Sequence, residues 1–353
     1  MDRTPFAVLQ RDATGYQRSC ALTAAAELDF FTVILRNGNR MNAGDLAREC
    51  GVDERGAAVL LNALAGMGYL CKSIGGASAD PDQGGPGGYA VAEAYRDALD
   101  SRHPLSYVPM LRHMVNAQRG WSELARTVRD GKPRTRRPSI LGEEEDDRSF
   151  IMGMNSLAVR TAGPMIRALH EAGVLHFGEG PARILDVGGA SGTYTQAFLE
   201  CLPTATAVIF DRPVGIEAAR QRFAGTPLEG RVDFQAGDFY SDALPSGFDL
   251  AWISAIIHQH GREQSRALYR NALQALKSGG KVAVRDFIMS ADGTSPAAGA
   301  LFGLNMLVHC ADGRVYTFEE VREDLEAAGF ITVEPAVPAE TMSAVVTAVR
   351  PRM

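Results

Sequence analysis

The sequence predicts a doubly wound α/β sheet preceded by a mainly helical domain. From about residue 176 onward, short apolar runs that end in Gly, Asp or Ser alternate with stretches of helical spacing, which is typical of a parallel sheet with crossover helices. Before about residue 105, apolar residues recur at helical spacing instead. The 353 residues suffice for one large and one smaller domain. We therefore expect a helical domain over 1–105, connecting helices over 106–175 and the sheet over 176–353.

Composition and charge exclude several classes of protein. Hydrophobic residues make up 46% and charged residues 22% of the chain, as in ordinary globular proteins. The net charge of −6 argues against a nucleic-acid partner, because such proteins present a basic surface. Apolar runs stay well short of the ~20 residues that cross a bilayer, and the first five residues lack the apolar core of a secretion signal. Five scattered cysteines indicate a reduced, cytoplasmic protein without structural metal.

The first region has the helix–turn–helix pattern of a winged-helix domain. Apolar side chains fall on one helical face over 21–35, and a short helix begins at Asn42. The turn over 51–53 leads to a second helix over 54–68. The side chains of this second helix that we expect to face inward are Val59, Leu60, Leu64 and Met67.

A wing and a charged connection follow these helices. Short apolar runs over 69–72 and 88–91 predict the two strands of the wing, and the Gly- and Pro-rich segment 73–87 predicts a loop between them. A basic run over 127–137 and an acidic run over 143–147 then predict a solvated connection between helices.

Apolar runs in the last region predict the strands of the sheet. Five runs predict parallel strands, at 184–187, 207–210, 232–235, 248–253 and 281–284. Two further runs, at 331–333 and 343–349, predict a closing hairpin. In a doubly wound sheet, ligands bind at the carboxyl ends of the strands, near the point where the strand order reverses.

The glycine-rich turn after the first of these strands, residues 186–192, is the strongest site signal. Glycines let the backbone pass close to a ligand, and the following helix presents unpaired amides. A dinucleotide site has Gly-x-Gly-x-x-Gly, but counting from Gly188 this chain has Ala190 and Thr193 in place of the later glycines. The turn fits better to the looser Asp-x-Gly-x-Gly-x-Gly pattern of S-adenosylmethionine (SAM) sites, with Ala190 in place of the middle glycine. The residues that we predict to bind SAM here are Asp186, Gly188, Gly189 and Gly192.

Further cofactor residues are predicted at the ends of the neighbouring strands. Asp211 ends the second strand, where a carboxylate accepts hydrogen bonds from both ribose hydroxyls. Asp238 and Phe239 follow the third strand and would bind the adenine amine and cover its ring. A capping aspartate and an ordinary Gly-Asp turn are the alternatives for these positions. The predicted cofactor site also includes Arg212, Gly237 and Ser254.

In this order, these segments resemble the bacterial and plant small-molecule O-methyltransferases with an N-terminal winged-helix dimerisation domain, such as the caffeate, hydroxyneurosporene and acetylserotonin types. The likeness extends over nearly the whole chain and includes the segments 24–28, 186–192, 211–213, 237–239, 275–280 and 317–330. It implies a class I SAM-methyltransferase fold with an antiparallel C-terminal strand. It also implies a homodimer, SAM as the methyl donor and S-adenosylhomocysteine as the product.

The resemblance places a catalytic histidine after the fourth strand, followed by Asp and Trp. His258 matches that histidine, whereas Gln259 and His260 replace the other two residues. Asp286 matches a family glutamate at the end of the fifth strand, and Val315 stands where a second family glutamate is expected. The catalytic pattern is therefore only partly retained.

Methyl transfer to a hydroxyl requires alignment and a base, because the donor is already activated. A neutral histidine suits this role, and a carboxylate on its other nitrogen fixes the tautomer. We predict His258 as the base and Asp286 as its partner, with His260 as an alternative base or a substrate contact. A metal is not predicted at this His-x-His pair, because no further ligands are evident nearby.

The resemblance also implies a substrate pocket in which each apolar member has core packing as its alternative. The predicted substrate residues are Met154, Asn155, Phe302, Asn305 and Met306.

Two other functions remain open from the sequence. The altered histidine segment leaves room for an S- or C-methyltransferase, because a sulfur acceptor needs less help from a base. A SAM-responsive winged-helix regulator of DNA is a more remote alternative. The helix over 54–68 carries Arg55 as its one basic residue, which favours dimerisation over base reading.

Overall fold

The computed structural model describes residues 4–73, 87–134, 137–338, 342 and 344–352. Of the predicted 73–87 loop, the stretch 74–86 lies outside the described residues, as do single positions of the predicted basic run and closing hairpin. The chain divides into two compact units, Met1–Arg119 with Arg136–Leu157 and Gly120–Thr135 with Ala158–Met353. The domain boundaries at 105 and 175 stay predictions.

The first unit is built from helices and a two-stranded wing. The helices are α1 (Pro5–Glu27), α2 (Phe30–Arg36), α3 (Ala43–Cys50), α4 (Glu54–Gly66), α5 (Arg96–Leu99) and α6 (Val108–Ser122). The wing strands β1 (Leu70–Ser73) and β2 (Gly88–Val91) pair antiparallel, as predicted. Side chains cap the two middle helices: Asn42 accepts from the amide of Asp45 at 2.8 Å, and Asp53 accepts from the amide of Gly56 at 2.7 Å.

Two details of this unit differ from the sequence prediction. The single helix expected over 21–35 is interrupted before α2, because Asp29 adopts a left-handed conformation with φ 59°. The inward position predicted for Val59 is wrong, since this side chain is 62% exposed. Ala57, Leu61 and Leu64, spaced i, i+4 and i+7, form the buried face of the helix, and Val59 lies on the opposite face.

The acidic run 143–147 begins a long helix rather than a solvated connection. A short helix, α7 (Leu124–Asp130), precedes α8 (Glu143–Glu171), whose first turn holds Glu143, Glu144, Glu145 and Asp146. Carboxylates at a helix N-terminus are stabilised by the unpaired amides and the helix dipole. The run therefore favours the start of a helix.

The second unit contains a seven-stranded sheet. Its strands are β3 (Arg183–Val187), β4 (Thr206–Asp211), β5 (Val232–Ala236), β6 (Phe248–Ser254), β7 (Leu276–Asp286), β10 (Ile331–Val337) and β11 (Ala344–Val349). The spatial order is β10-β11-β7-β6-β3-β4-β5. Strands β3 to β7 are mutually parallel, and β11 is antiparallel to both of its neighbours, β7 and β10. A separate parallel pair, β8 (Ile288–Met289) with β9 (Tyr316–Thr317), was not predicted, because two residues carry no readable pattern.

Helices cover both faces of this sheet. They are α9 (Thr193–Cys201) and α10 (Pro213–Phe223) on one face, and α11 (Arg262–Ala275) and α13 (Phe318–Ala327) on the other. Helix α12 (Ala297–His309) packs beside β8 instead. Successive residues of β3 point to opposite faces: Ile184 packs in one core with Trp252, and Leu185 packs in another with Phe248 and Tyr269. The order reverses at β3, between β4 and β6, so the carboxyl ends of these three strands define the expected ligand edge.

Among the residues that the structure describes, no helix combines the length and apolar character that a membrane crossing needs.

Candidate active site

The turn after β3 uses a backbone that favours glycine. Gly188, Ala190 and Gly192 have φ values of 69°, 46° and 76°, all in the left-handed region. A Cβ on Gly188 would lie 2.6 Å from Cδ1 of Ile256, and one on Gly192 would lie 2.7 Å from Cε2 of Phe223. Both glycines are therefore required, by conformation and by space.

Asp211, at the end of β4, is bonded to this turn. Its Oδ2 accepts from the amide of Ala190 at 2.7 Å, and its Oδ1 accepts from the amide of Arg212 at 2.6 Å. Burial raises the pKa of the Asp211 carboxyl despite these two bonds. The carboxylate therefore gains from further donors, such as a pair of hydroxyls.

Asp186 lies beneath the turn as a support. It is 2% exposed, and its Oδ2 accepts from Oγ1 of Thr195, in α9, at 2.6 Å. Burial, with a smaller contribution from the nearby Asp211, raises the pKa of Asp186 to about 7. A Cβ on Gly189 would lie 2.7 Å from Cγ of Asp186, so the carboxyl group and the turn are in close contact.

The loop after β5 brings an aromatic ring against the same turn. A Cβ on Gly188 would lie 3.3 Å from Cε1 of the half-buried Phe239. Asp238 is exposed, and its Oδ1 accepts from the amide of Tyr240 at 2.9 Å. Gly237 has no room for a side chain, because its Cβ would lie 2.4 Å from the ring of Phe210. The predicted adenine residues thus stand beside the glycine turn.

A buried histidine–carboxylate pair stands beyond the ends of β6 and β7. His258, in the short 3₁₀ turn Ile257–Gln259, is 6% exposed, and Asp286 is 1% exposed. Nδ1 of His258 lies 2.9 Å from both carboxylate oxygens of Asp286. The amide of Phe287 also donates to Oδ1 of Asp286, at 2.8 Å. The predicted contact between the two side chains exists.

His260 faces a different neighbour. Its Nε2 is in hydrogen-bond contact with the hydroxyl of Tyr240, whose ring also packs on that of Phe239 at 4.4 Å. Burial lowers the pKa of His260, and the nearby His258 lowers it further. His260 is therefore joined to the loop after β5 rather than to Asp286.

Helix α12 places aromatic and polar groups near His258. The ring of Phe302 meets that of His258 edge-on at 4.8 Å, and Phe302 also lies 5.0 Å from the ring of Phe287. Oδ1 of Asn305 accepts from Nε1 of Trp121 at 2.9 Å, and Met306 is buried. Met154 and Asn155 lie on α8, in the first unit.

Three contacts at this edge were not anticipated from the sequence, those of Thr195, Tyr240 and Arg285. Nη1 of Arg285 donates to Oγ of Ser254 at 3.1 Å, and its guanidinium carbon lies 5.0 Å from the ring centre of Tyr194. An arginine inside the otherwise apolar end of β7 was a readable signal. Thr195 and Tyr240 carry no such signal, because ordinary helices and loops contain both residue types.

The described part of the chain holds no cluster of three or more His, Cys, Asp or Glu side chains arranged to bind a metal ion.

Comparison with known proteins identifies the family. A profile of the O-methyltransferase domain matches residues 121–331, and a profile of the O-methyltransferase dimerisation domain matches residues 11–96. The chain is 30% identical over 330 residues to 3-hydroxy-5-methyl-1-naphthoate 3-O-methyltransferase of Streptomyces sahachiroi, covering 90% of this chain and 87% of that one. It is 28% identical over 336 residues to acetylserotonin O-methyltransferase of Bos taurus, covering 92% of each.

Solved structures share the fold. Human N-acetylserotonin methyltransferase in complex with SAM superposes with a TM-score of 0.81 at 22% identity, covering 100% of this chain and 99% of that one. The structure described as PigF with SAH gives a TM-score of 0.80 at 23% identity, covering 99% and 100%. The chain therefore has the class I methyltransferase fold, and the predicted fold class is confirmed. The chain belongs to the O-methyltransferase family and is a SAM-dependent methyltransferase, as predicted.

Proposed function

We propose that this enzyme methylates a hydroxyl group on a small aromatic molecule, with His258 as the base. The observation that carries the proposal is the buried pair in which Nδ1 of His258 lies 2.9 Å from Asp286. Relatives named for 3-hydroxynaphthoate, acetylserotonin and tetracenomycin methylation support an aromatic acceptor. The ring of Phe302, which lies edge-on to the histidine and packs on the buried Phe287, supplies apolar contact area for such a ring.

The pair sets the tautomer that a base needs. With its Nδ1–H donated to Asp286, the imidazole presents an unprotonated Nε2. This nitrogen takes the proton of the acceptor hydroxyl while the oxygen bonds to the methyl carbon, and Asp286 balances the positive charge that His258 then carries. SAM, when bound, supplies the methyl group from its positively charged sulfur, which keeps the electron pair of the broken carbon–sulfur bond as S-adenosylhomocysteine leaves. The remaining contribution of the protein is alignment.

His258 is favoured over His260 as the base. Nε2 of His260 is in contact with the Tyr240 hydroxyl, and among the described residues no carboxylate contacts its ring as Asp286 contacts that of His258. We assign His260 to the support of the loop after β5, which also carries Asp238 and Phe239.

The remaining predicted residues divide between cofactor and substrate. The turn with Gly188, Gly189 and Gly192 provides a close backbone approach, and Asp211, held by the amides of Ala190 and Arg212, would accept the ribose hydroxyls. Asp238 and Phe239 would bind the adenine. The residues of the second unit that we propose as pocket walls are Phe302, Asn305 and Met306. The substrate role of Met154 and Asn155, in the first unit, stays a prediction.

Product analysis tests which atom accepts the methyl group. The enzyme is incubated with SAM and panels of naphthols, phenolic acids, thiols and thioethers, and the position of the added methyl is located by mass spectrometry and NMR. We expect O-methylated phenols. Product methylated at sulfur or carbon alone would contradict the proposal in favour of the S- or C-methyltransferase alternative.

We further propose that the enzyme is a homodimer. The profile match to a dimerisation domain supports this, as does the row of exposed apolar residues on α1, where Phe6, Leu9 and Tyr16 are 76%, 69% and 64% exposed. Light scattering should give twice the mass of the 353-residue chain. Leu9→Asp should shift the protein toward the monomer, with Gln10→Asp on the same helix as the control; a wild-type monomer would refute the proposal. The cytoplasmic location and the lack of a nucleic-acid partner stay predictions.

A further inference from the structure

Arg285 is a cation at the ligand edge that the proposed chemistry does not use. It precedes Asp286 on β7, and because successive strand residues point to opposite faces, its side chain lies on the other face of the sheet. Its register partner on β6 is Ser254, to whose Oγ it donates at 3.1 Å. The guanidinium lies over the ring of Tyr194, in the first turn of α9.

This guanidinium has no anionic partner in the part of the chain that the structure describes. No described carboxylate forms an ion pair with it, and the neighbouring Asp286 is engaged by His258. Nε of Arg285 is buried without a hydrogen-bond partner, and so is the hydroxyl of Tyr194 beside it. Burying a charge without a partner is costly. Two adjacent buried donors therefore point to an acceptor that is supplied by a ligand.

The position in the sheet indicates which part of the ligand this is. Strands β4 and β5, with Asp211 and Asp238, lie on one side of β3, and strands β6 and β7 lie on the other. With the adenosine on the β4 and β5 side, the methionine half of SAM extends toward β6 and β7, where the proposed base His258 lies. The methionine carboxylate is the one anionic group of SAM at neutral pH.

We propose that Arg285 binds the methionine carboxylate of SAM, with the Tyr194 hydroxyl as a second donor and Ser254 orienting the guanidinium. This assignment rests on the cofactor site proposed above. Guanidinium–carboxylate bonds are strong because both partners are charged and their geometries match. Arg285 thus distinguishes donors that carry the carboxylate from donors that lack it.

Calorimetric titration of the full-length protein with two ligands tests the assignment. The ligands are SAM and decarboxylated SAM, which keeps the adenosine, sulfonium and amine. Wild-type protein should bind SAM ~10- to 100-fold more tightly than the decarboxylated ligand, as expected for a charge-assisted pair. Arg285→Met should weaken the binding of SAM by the same ~10- to 100-fold. It should change the affinity for the decarboxylated ligand by less than about threefold. Arg285→Lys should keep part of the discrimination.

A matched control and three outcomes separate the possibilities. Arg220 also lies over a ring, that of Phe234 at 4.8 Å, and Arg220→Met should leave both affinities unchanged. If Arg285→Met weakens both ligands equally, the residue is structural and the assignment is overturned. Equal binding of the two ligands by wild-type protein overturns it even if the variant does not fold. Failure of wild-type protein to bind either ligand would instead refute the cofactor site itself.

Discussion

The ligand edge of the sheet has two halves that differ in which atoms form them. At the ends of β3, β4 and β5, the backbone half, main-chain conformation dominates: the turn 188–192 adopts left-handed conformations, and the amide of Ala190 donates to Asp211. At the ends of β6 and β7, the side-chain half, side chains contact one another, as in the pair of His258 with Asp286. The first half constrains shape, and the second sets protonation. Substitutions should therefore fail differently in the two halves.

The largest effect is expected at the side-chain half. His258→Ala removes the base, so kcat should fall ~10²- to 10⁴-fold, while the affinity for SAM stays within about twofold. Steady-state kinetics and calorimetry measure the two quantities. His170→Ala, at an exposed position of α8, is the control and should be silent. A loss of kcat below about tenfold would argue against the base.

The same pair offers an internal check on this prediction. Asp286→Asn should lower kcat, Asp286→Glu should restore part of it, and Asp286→Asn should add little once His258 is already alanine, because the two act as a unit. Additive losses would mean that the two residues act separately.

The next effect is a loss of cofactor affinity at the other half. Asp211→Asn removes the charge that would hold two ribose hydroxyls, so the dissociation constant for SAM should rise ~10- to 100-fold, with the acceptor KM little changed. Asp233→Asn, at an exposed position of β5, is the matched control. If the Asp211 variant binds SAM as tightly as the wild type, Asp211 does not bind the ribose.

A third prediction concerns the backbone itself. Gly192→Ala should lower the free energy of unfolding by about 2 kcal/mol, because the residue has φ 76° and its Cβ would lie 2.7 Å from Phe223. Gly225→Ala shares the positive φ, at 69°, but meets no atom within 4 Å, so it should cost only about 1 kcal/mol. Urea unfolding measures both variants. Equal losses would show that conformation, not space, sets the requirement.

The last prediction concerns the pH dependence of stability. Because burial raises the pKa of Asp186 from 3.8 to about 7, the folded protein binds more protons than the unfolded chain between these values. The free energy of unfolding should therefore receive a contribution that is complete below pH 3.8 and lost as the pH rises through 7. Asp186→Asn should remove this downward slope in urea unfolding at pH 5, 6, 7 and 8. Identical slopes in the two proteins would count against the raised pKa.

The backbone half was the more predictable from sequence, for a physical reason. Left-handed turns leave a local signature, since glycine recurs at fixed spacing around residues 186–192, and parallel strands leave apolar runs. The five parallel strands and the closing hairpin were accordingly predicted, with bounds shifted by a few residues. The break before α2 was missed, because Asp29 in a left-handed conformation has no distinctive pattern.

The side-chain half depends on contacts between distant parts of the chain. His258 and Asp286 are 28 positions apart, and the resemblance to a family, rather than spacing, brought them together. The contact of Tyr240 with His260 and the unpaired Nε of Arg285 follow from strand register and loop course. No local rule encodes these contacts, so sequence reasoning reached His260 only as an alternative base. It passed over Arg285, although a charged residue within an apolar strand was visible in the sequence.

The end of β4 has a consequence for how the enzyme meets its cofactor. The amide of Gly188 donates to the carbonyl of Phe210 at 2.8 Å, the amide of Gly237 to the carbonyl of Asp211 at 3.0 Å, and the amide of Ala190 to the Asp211 carboxylate. Two loops distant in sequence are thereby hydrogen-bonded to one strand end. In the cofactor site that we propose, the ordering of these loops is part of folding, so we expect discrimination among nucleosides to rest on the shape of the turn.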